Sequence, residues 1–294
     1  MHSNTPSPVA PSESRQTTAK HIQLPLWRAT PALQLSTGLH VFCAMLTALN
    51  PAIWQWTLGA VIVNHLLILA TVVMCPRSRL LGPNMMRLPV AAALRGEVAL
   101  TFDDGPDPLI TPQVLDLLDQ YGAKASFFCI ANKVIAYPEL AREILRRGHS
   151  VENHTNSHPH AFAFFGPGAS QHEIASAQTA IYATTGIAPV FFRAPMGFRN
   201  PFLAPMVART GLRYISWTRR GYDTFAKSAE TVLQQMQRGL AAGDILLLHD
   251  GRSIQPHNES PVILEVLPRL LEHFQTLNLK CVSLQTACNH VGKL

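Results

Sequence analysis

Residues 97–106 read EVALTFDDGP, and the chain changes character there. A short apolar run ends in two adjacent carboxylates, Asp103 and Asp104, before Gly105-Pro106 forces a turn. Similar runs follow at 125–130, 150–152, 190–193, 214–217, 245–249 and 281–284, each expected as a strand. Helical stretches fall between them, at 111–120, 139–147, 171–184, 202–210, 228–241 and 261–275. Pro112 suits a first helical position, and Gly122 and Gly211 suit the residue just past a helix end. Such alternation predicts a parallel α/β architecture.

The chain before residue 97 is different. Residues 1–30 are rich in Ser, Thr, Pro and Ala and are expected as a disordered tail, too long and polar to start a signal peptide. Residues 31–75 carry no charge. Residues 52–75 are long enough to span a hydrocarbon core, with Trp54 and Trp56 at one interface. Residues 33–49 are a weaker candidate, and Asn50-Pro51 is a tight turn between the two. A transmembrane helical hairpin is expected, the alternative being one span preceded by an interfacial helix. Asn64 and His65 cost little if the helices contact each other. Residues 76–96 are expected as a basic linker, and 97–294 as the catalytic domain.

Charged residues make up 14% of the chain, against about 25% in a typical soluble domain. Residues 1–96 hold seven bases and one acid, which is the whole net charge of +6. The remainder is balanced, so no folded basic face for nucleic acid is expected. Bases flank the apolar block and are missing from its turn, which places both ends in the cytoplasm by the positive-inside rule. The expected location is a bacterial-type inner membrane, with the catalytic domain on its cytoplasmic face. Five scattered cysteines form no disulfide framework and no Cys-x-x-Cys, and are read as buried free thiols.

Four strings carry the chemistry. In Asp103-Asp104 the neighbouring carboxylates point differently, which allows one to serve a metal and one to act as a base; a loop-capping turn is the bland alternative. His154-Thr155-Asn156-Ser157-His158 spaces two imidazoles so that a helical turn would bring both to one ion, although a His-dense surface loop reads the same way. Arg193-Ala194-Pro195-Met196-Gly197 puts a guanidinium at a strand end, suited to clamping a carboxylate or to a structural ion pair. Ile245–His249 ends a buried strand on a histidine able to move protons near neutral pH, or on a satisfied core histidine. All four fall at the C-terminal ends of predicted strands, where parallel α/β folds assemble sites. The inventory suits metal-assisted hydrolysis.

TFDDGP, HTNSH, RAPMG and LLLHD, in that order, resemble the polysaccharide deacetylase (NodB-homology) family, carbohydrate esterase family 4, over about residues 97–290. The resemblance implies a distorted (β/α) barrel of about seven strands. It implies that Asp104, His154 and His158 bind a divalent metal, usually zinc. Asp103 would be the base, His249 the acid, and Arg193 the residue that orients Asp103. The backbone N–H of Met196 would help hold the oxyanion.

There are departures. Asp223 is followed by Thr224 where the family often has Trp, and Arg219-Arg220 precedes it. Asp223 is expected to pair with His249. Trp217 either replaces the missing wall of the sugar pocket or belongs to the core. The implied activity is hydrolysis of the N-acetyl group of an amino sugar, in a glycan or a glycolipid. The alternatives are deformylation or deacetylation of a polyprenyl-linked amino sugar, and an inactive glycan-binding member at the membrane.

Overall fold

The computed structural model describes residues 28–225, 228–251 and 261–289. Residues 1–27 of the expected tail and 290–294 of the expected catalytic domain lie outside the described residues.

Two antiparallel helices come first, α1 (Pro31–Leu49) and α2 (Trp54–Met74), joined by Asn50 and a 3-10 turn. Thr47 Oγ1 meets Thr57 Oγ1 at 2.7 Å, and Asn64 donates to Ser36 Oγ at 2.8 Å. The buried-polar cost of Asn64 is thus met between the helices. Both helices are long and apolar enough to cross a membrane, and among their described residues hardly any is buried by protein.

Residues 76–96, expected as a linker, pack onto the barrel. Leu81, Asn84 and Leu88 are buried there, as is Ala92 of the short helix α3 (Val90–Leu94). Met85 N donates to Tyr214 O, Ser216 N donates back to Met85 O, and Leu88 N donates to Gly243 O. Arg199 is buried and holds the carbonyls of Ser78, Gly82 and Pro83.

The catalytic domain then alternates. It runs β1 (Glu97–Asp103), α4 (Thr111–Gln120), β2 (Ala125–Cys129), α5 (Ala131–Ala136), α6 (Pro138–Arg146) and β3 (Ser150–Asn153). It continues with α7 (Pro167–Thr185), β4 (Phe191–Phe192), α8 (Leu203–Arg209), β5 (Arg213–Tyr214) and β6 (Arg219–Arg220). It ends with α9 (Ala229–Gln237), β7 (Ile245–His249), α10 (Val262–Thr276), β8 (Lys280–Cys281) and α11 (Leu284–Asn289). Every strand pair is parallel, in the order β5-β4-β3-β2-β1-β7-β6, with β8 pairing the start of β1.

The expected strand at 214–217 is split. Residues 213–215 follow β4, with Ile215 N donating to Phe192 O. Residues 218–220 follow β7, with Thr218 N donating to Ile245 O. One continuous stretch therefore borders both ends of the sheet and curls it into a distorted barrel of the (β/α)7 type. Strands β1, β2, β3 and β7 are buried along their whole length, as parallel strands covered on both faces must be. All five cysteines are free, but only Cys43 and Cys129 are fully buried; Cys75 is exposed, so the expectation of buried thiols fails there.

Candidate active site

The four strings meet at the C-terminal ends of β1, β3, β4 and β7. Asp103 is the last residue of β1, and Asp104 follows it at φ 72°. That left-handed step turns the two carboxylates apart. Asp103 Oδ1 faces Arg193 at 2.6 Å, whereas Asp104 Oδ1 lies 3.4 Å from His154 Nε2 and 3.1 Å from His158 Nε2. Gly251 is required beside this turn, because a Cβ there would lie 2.0 Å from the Asp104 carbonyl oxygen.

HTNSH is not a helical turn. After His154 the chain is a loop with Thr155 at φ 68° and His158 at φ 55°. Helical spacing is therefore not what brings the imidazoles together; loop capping is. Thr155 Oγ1 accepts from His158 N, and Glu173 of α7 accepts from the Asn156 and Ser157 amides and the Ser157 hydroxyl. His154 Nδ1–H donates to the Arg193 carbonyl at 2.8 Å, which turns Nε2 toward Asp104.

Asp104, His154 and His158 are buried and offer ligand atoms within 4.8 Å of one another. A tetrahedral ion with ligand bonds of about 2.0–2.1 Å needs ligands roughly 3.3 Å apart. The 3.1 and 3.4 Å separations fit that demand. Burial alone would raise the Asp104 pKa, but His154 and His158 override it and hold the carboxyl well below the usual range, ionised as a ligand must be.

Arg193 is fully buried. Its guanidinium donates to Asp103 Oδ1, Thr101 Oγ1 and Ser216 O and lies over the Phe128 ring at 4.1 Å. Asp103 is thereby fixed in one orientation, with its second oxygen, Oδ2, 3.8 Å from His154 Nε2.

On the other side, His249 ends β7. Its Nδ1–H donates to Asp223 Oδ1 at 2.9 Å, and its backbone N–H donates to Asp223 Oδ2 at 2.7 Å. Burial would lower the His249 pKa, but the adjoining Asp223 carboxylate outweighs it and holds the value above the ordinary one. As the expected acid, His249 must be protonated to work, so activity would fall as pH rises through that pKa. Asp223→Asn removes the outweighing charge. A pH–rate profile should therefore show the alkaline limb displaced to lower pH, with a fall in kcat short of the roughly 10²–10⁴-fold that a whole general acid contributes. An unmoved limb would dissociate Asp223 from the acid.

Met196 sits at φ 58° in the turn Pro195–Gly197. The next two amides donate to Ala194 O and Pro195 O, whereas Met196 N–H has no such acceptor among the described residues. Trp217 is nearly buried, and its ring tip would lie 2.3 Å from a Cβ on Gly197. It also lines the catalytic pocket, a cavity of about 340 Å³. Trp217 is thus packed against the turn at Gly197 and also borders the pocket.

Four supporting residues act across the fold; Asp250 and Arg220 lie in strings already singled out, whereas Glu173 and Lys133 carry no local sequence signal. Glu173 holds the histidine loop. Lys133 of α5 donates to the Asp104 carbonyl at 2.7 Å. Asp250 accepts from Thr111 at 2.5 Å, its pKa pushed up to about 7 by burial. Arg220 lines the pocket and lies near the Trp217 and Tyr222 rings. Trp217, Arg220 and Phe225 line one pocket together with the site residues.

A buried Asp-His-His cluster beside an Arg-held carboxylate and an Asp-held histidine, at the C-terminal rim of a parallel α/β barrel, is the layout of a hydrolase. The chain belongs to the polysaccharide deacetylase family, hydrolases of non-peptide carbon–nitrogen amide bonds. The family profile, described as polysaccharide deacetylase, matches residues 92–215. A peptidoglycan-N-acetylglucosamine deacetylase of Bacillus cereus is 33% identical over 59% of this chain and 81% of its own. A chitooligosaccharide deacetylase of Bradyrhizobium is 36% identical over 52% of this chain and 70% of its own. A family 4 carbohydrate esterase from Streptomyces lividans, solved with acetate, superposes with a TM-score of 0.57 at 32% identity, covering 65% of this chain and 95% of that one. A family 4 pseudoenzyme from Bacillus anthracis has the same fold, with a TM-score of 0.61 at 20% identity, over 69% and 68% of the two chains.

Proposed function

We propose that this chain is a membrane-anchored, metal-dependent N-deacylase acting on an N-acetylated amino sugar of a glycan or glycolipid. The observation that carries the reading is the pairing of the Asp104-His154-His158 cluster with an independently held Asp103. That pairing also disfavours an inactive glycan-binding member, which needs neither.

A divalent ion on those three ligands, zinc by its preference for such a set, supplies Lewis-acid activation of a water and of the amide carbonyl. Asp103, oriented by Arg193, takes the proton as the water oxygen attacks the carbonyl carbon. The Met196 N–H, unengaged among the described residues, is offered to the oxygen on which charge develops. His249 delivers its proton to the sugar nitrogen as the C–N bond breaks, because an amide anion is a poor leaving group. The products are a free amino sugar and acetate. Trp217 and Arg220 bound the space that the sugar ring enters.

The uncovered apolar surface of α1 and α2 supports anchoring in a bilayer. The positive-inside reading favours the cytoplasmic face, although two of its arginines are engaged: Arg87 pairs with Asp244 and Arg95 with Glu97. A compartment-sensitive reporter fused after Leu294 reads the side, and an external signal would overturn it. The activity is tested by assaying release of acetate from N-acetylglucosamine oligomers by the full chain. Release should stop on chelation and return with zinc. Undiminished release after complete chelation would end the metal-dependent reading.

A further inference from the structure

A second cavity, of about 1130 Å³, lies between the helical hairpin and the rim of the barrel. It is larger than the roughly 300–1,000 Å³ usual for small-molecule pockets. One wall is hairpin, with Leu33, Thr37 and Leu69; the other is barrel rim, with Ala163, Phe164 and Phe202. Phe164 is 75% exposed and Phe202 47% exposed, a large apolar outlay for a surface facing water.

Two features tie this groove to the chemistry. Met196 and His160 line both it and the catalytic pocket, so the two spaces adjoin. The His160 ring lies 6.1 Å from that of the ligand candidate His158. The hairpin wall also carries His40 and His65, their rings 5.0 Å apart, with each Nδ1–H donating to the carbonyl four residues back. A bare anchor has no use for ionisable side chains at mid-helix; such residues mark substrate paths.

We propose that the groove receives a hydrocarbon chain attached to the substrate, so that the amino sugar enters the metal pocket past Met196 and His160 while its lipid stays against the hairpin. The substrate class is then an N-acylated amino-sugar lipid rather than a free polysaccharide. This rests on the deacylase reading above and deepens it.

The test uses the full chain in nanodiscs and a series of N-acetylglucosamine alkyl glycosides of increasing chain length, below their aggregation concentrations. The expected kcat/KM rises with each methylene by up to about fourfold, the worth of a buried CH₂, mostly through KM. Thr37→Trp and Ala163→Trp, filling the groove from opposite walls, should each flatten the series. A flat series in the unaltered protein would overturn the proposal; it is the result expected if a bilayer lipid or another stretch of this chain occupies the groove. A slope that survives both substitutions would overturn it too, by assigning the effect to partitioning into the disc.

Photolabelling separates this failure from failure of the deacylase reading. A glycoside with a diazirine at its chain end should label residues 33–40 and 160–164. Unlabelled glycoside should compete, and an alkanol of equal length should not. Labelling without turnover would refute the deacylase reading and leave the groove assignment standing. Labelling elsewhere, or equal competition by the alkanol, would refute the groove assignment.

Discussion

Asp103→Asn protein is expected to keep its metal and lose about 10²–10⁴-fold in kcat, the contribution of a positioned general base. The reasoning is local. Asp103 is held by Arg193 at 2.6 Å and lies farther from His154 than Asp104 does, at 3.8 against 3.4 Å. It is therefore beside the ligand cluster without belonging to it. An amide at this position still accepts a hydrogen bond from Arg193 but cannot take a proton from water. Metal content by mass spectrometry and steady-state turnover on one preparation give both readouts. Turnover within a factor of a few of the parent would remove Asp103 from the chemistry. Loss of metal with loss of turnover would move it into the ligand set.

His154→Ala should lose both metal and activity. The change deletes one of three protein ligands and leaves Asp104, a buried carboxylate, with a single imidazole opposite it. Breaking such a buried charged arrangement costs about 3–5 kcal/mol, so a lower melting temperature should accompany the loss. His154→Gln keeps more bulk and separates misfolding from metal loss: it should fold and still bind zinc weakly. Full zinc affinity in either variant would refute the ligand assignment.

The parallel architecture was legible because each strand reads as a short apolar run bounded by turn residues. Residues 245–249 match β7 end to end, and 111–120 match α4. The expected strand at 214–217 was misplaced because the chain leaves β4 after Ile215 and joins β7 only from Thr218, a property of barrel closure that no local pattern carries. β6 escaped notice for the same reason: Arg219-Arg220 is polar, its arginines reaching Asp244 and the Trp217 ring. The site residues were legible as types, since Asp, His and Arg at strand ends are conspicuous. Their geometry was not. The His154–His158 spacing pointed to a helical turn, yet Glu173, distant in sequence, shapes that loop. The two carboxylates were expected to diverge, and the left-handed Asp104 backbone is how they do so.

The strap at 78–88, held by Arg199 at Ser78, Gly82 and Pro83 and bonded farther on to Tyr214, Ser216 and Gly243, has one more effect. Twenty residues of free linker would let a tethered domain roam about 25 Å from its anchor. Here residues 78–88 are bound to the barrel, which leaves only the few residues after α2 as free linker. With α1 and α2 in a bilayer, as proposed, so short a leash would hold the mouth close to the membrane surface. A lipid-borne substrate of the kind proposed would then be met by gliding within a plane rather than by reaching through a volume, and its density per unit of membrane area, more than its concentration in solution, would set how often the two collide.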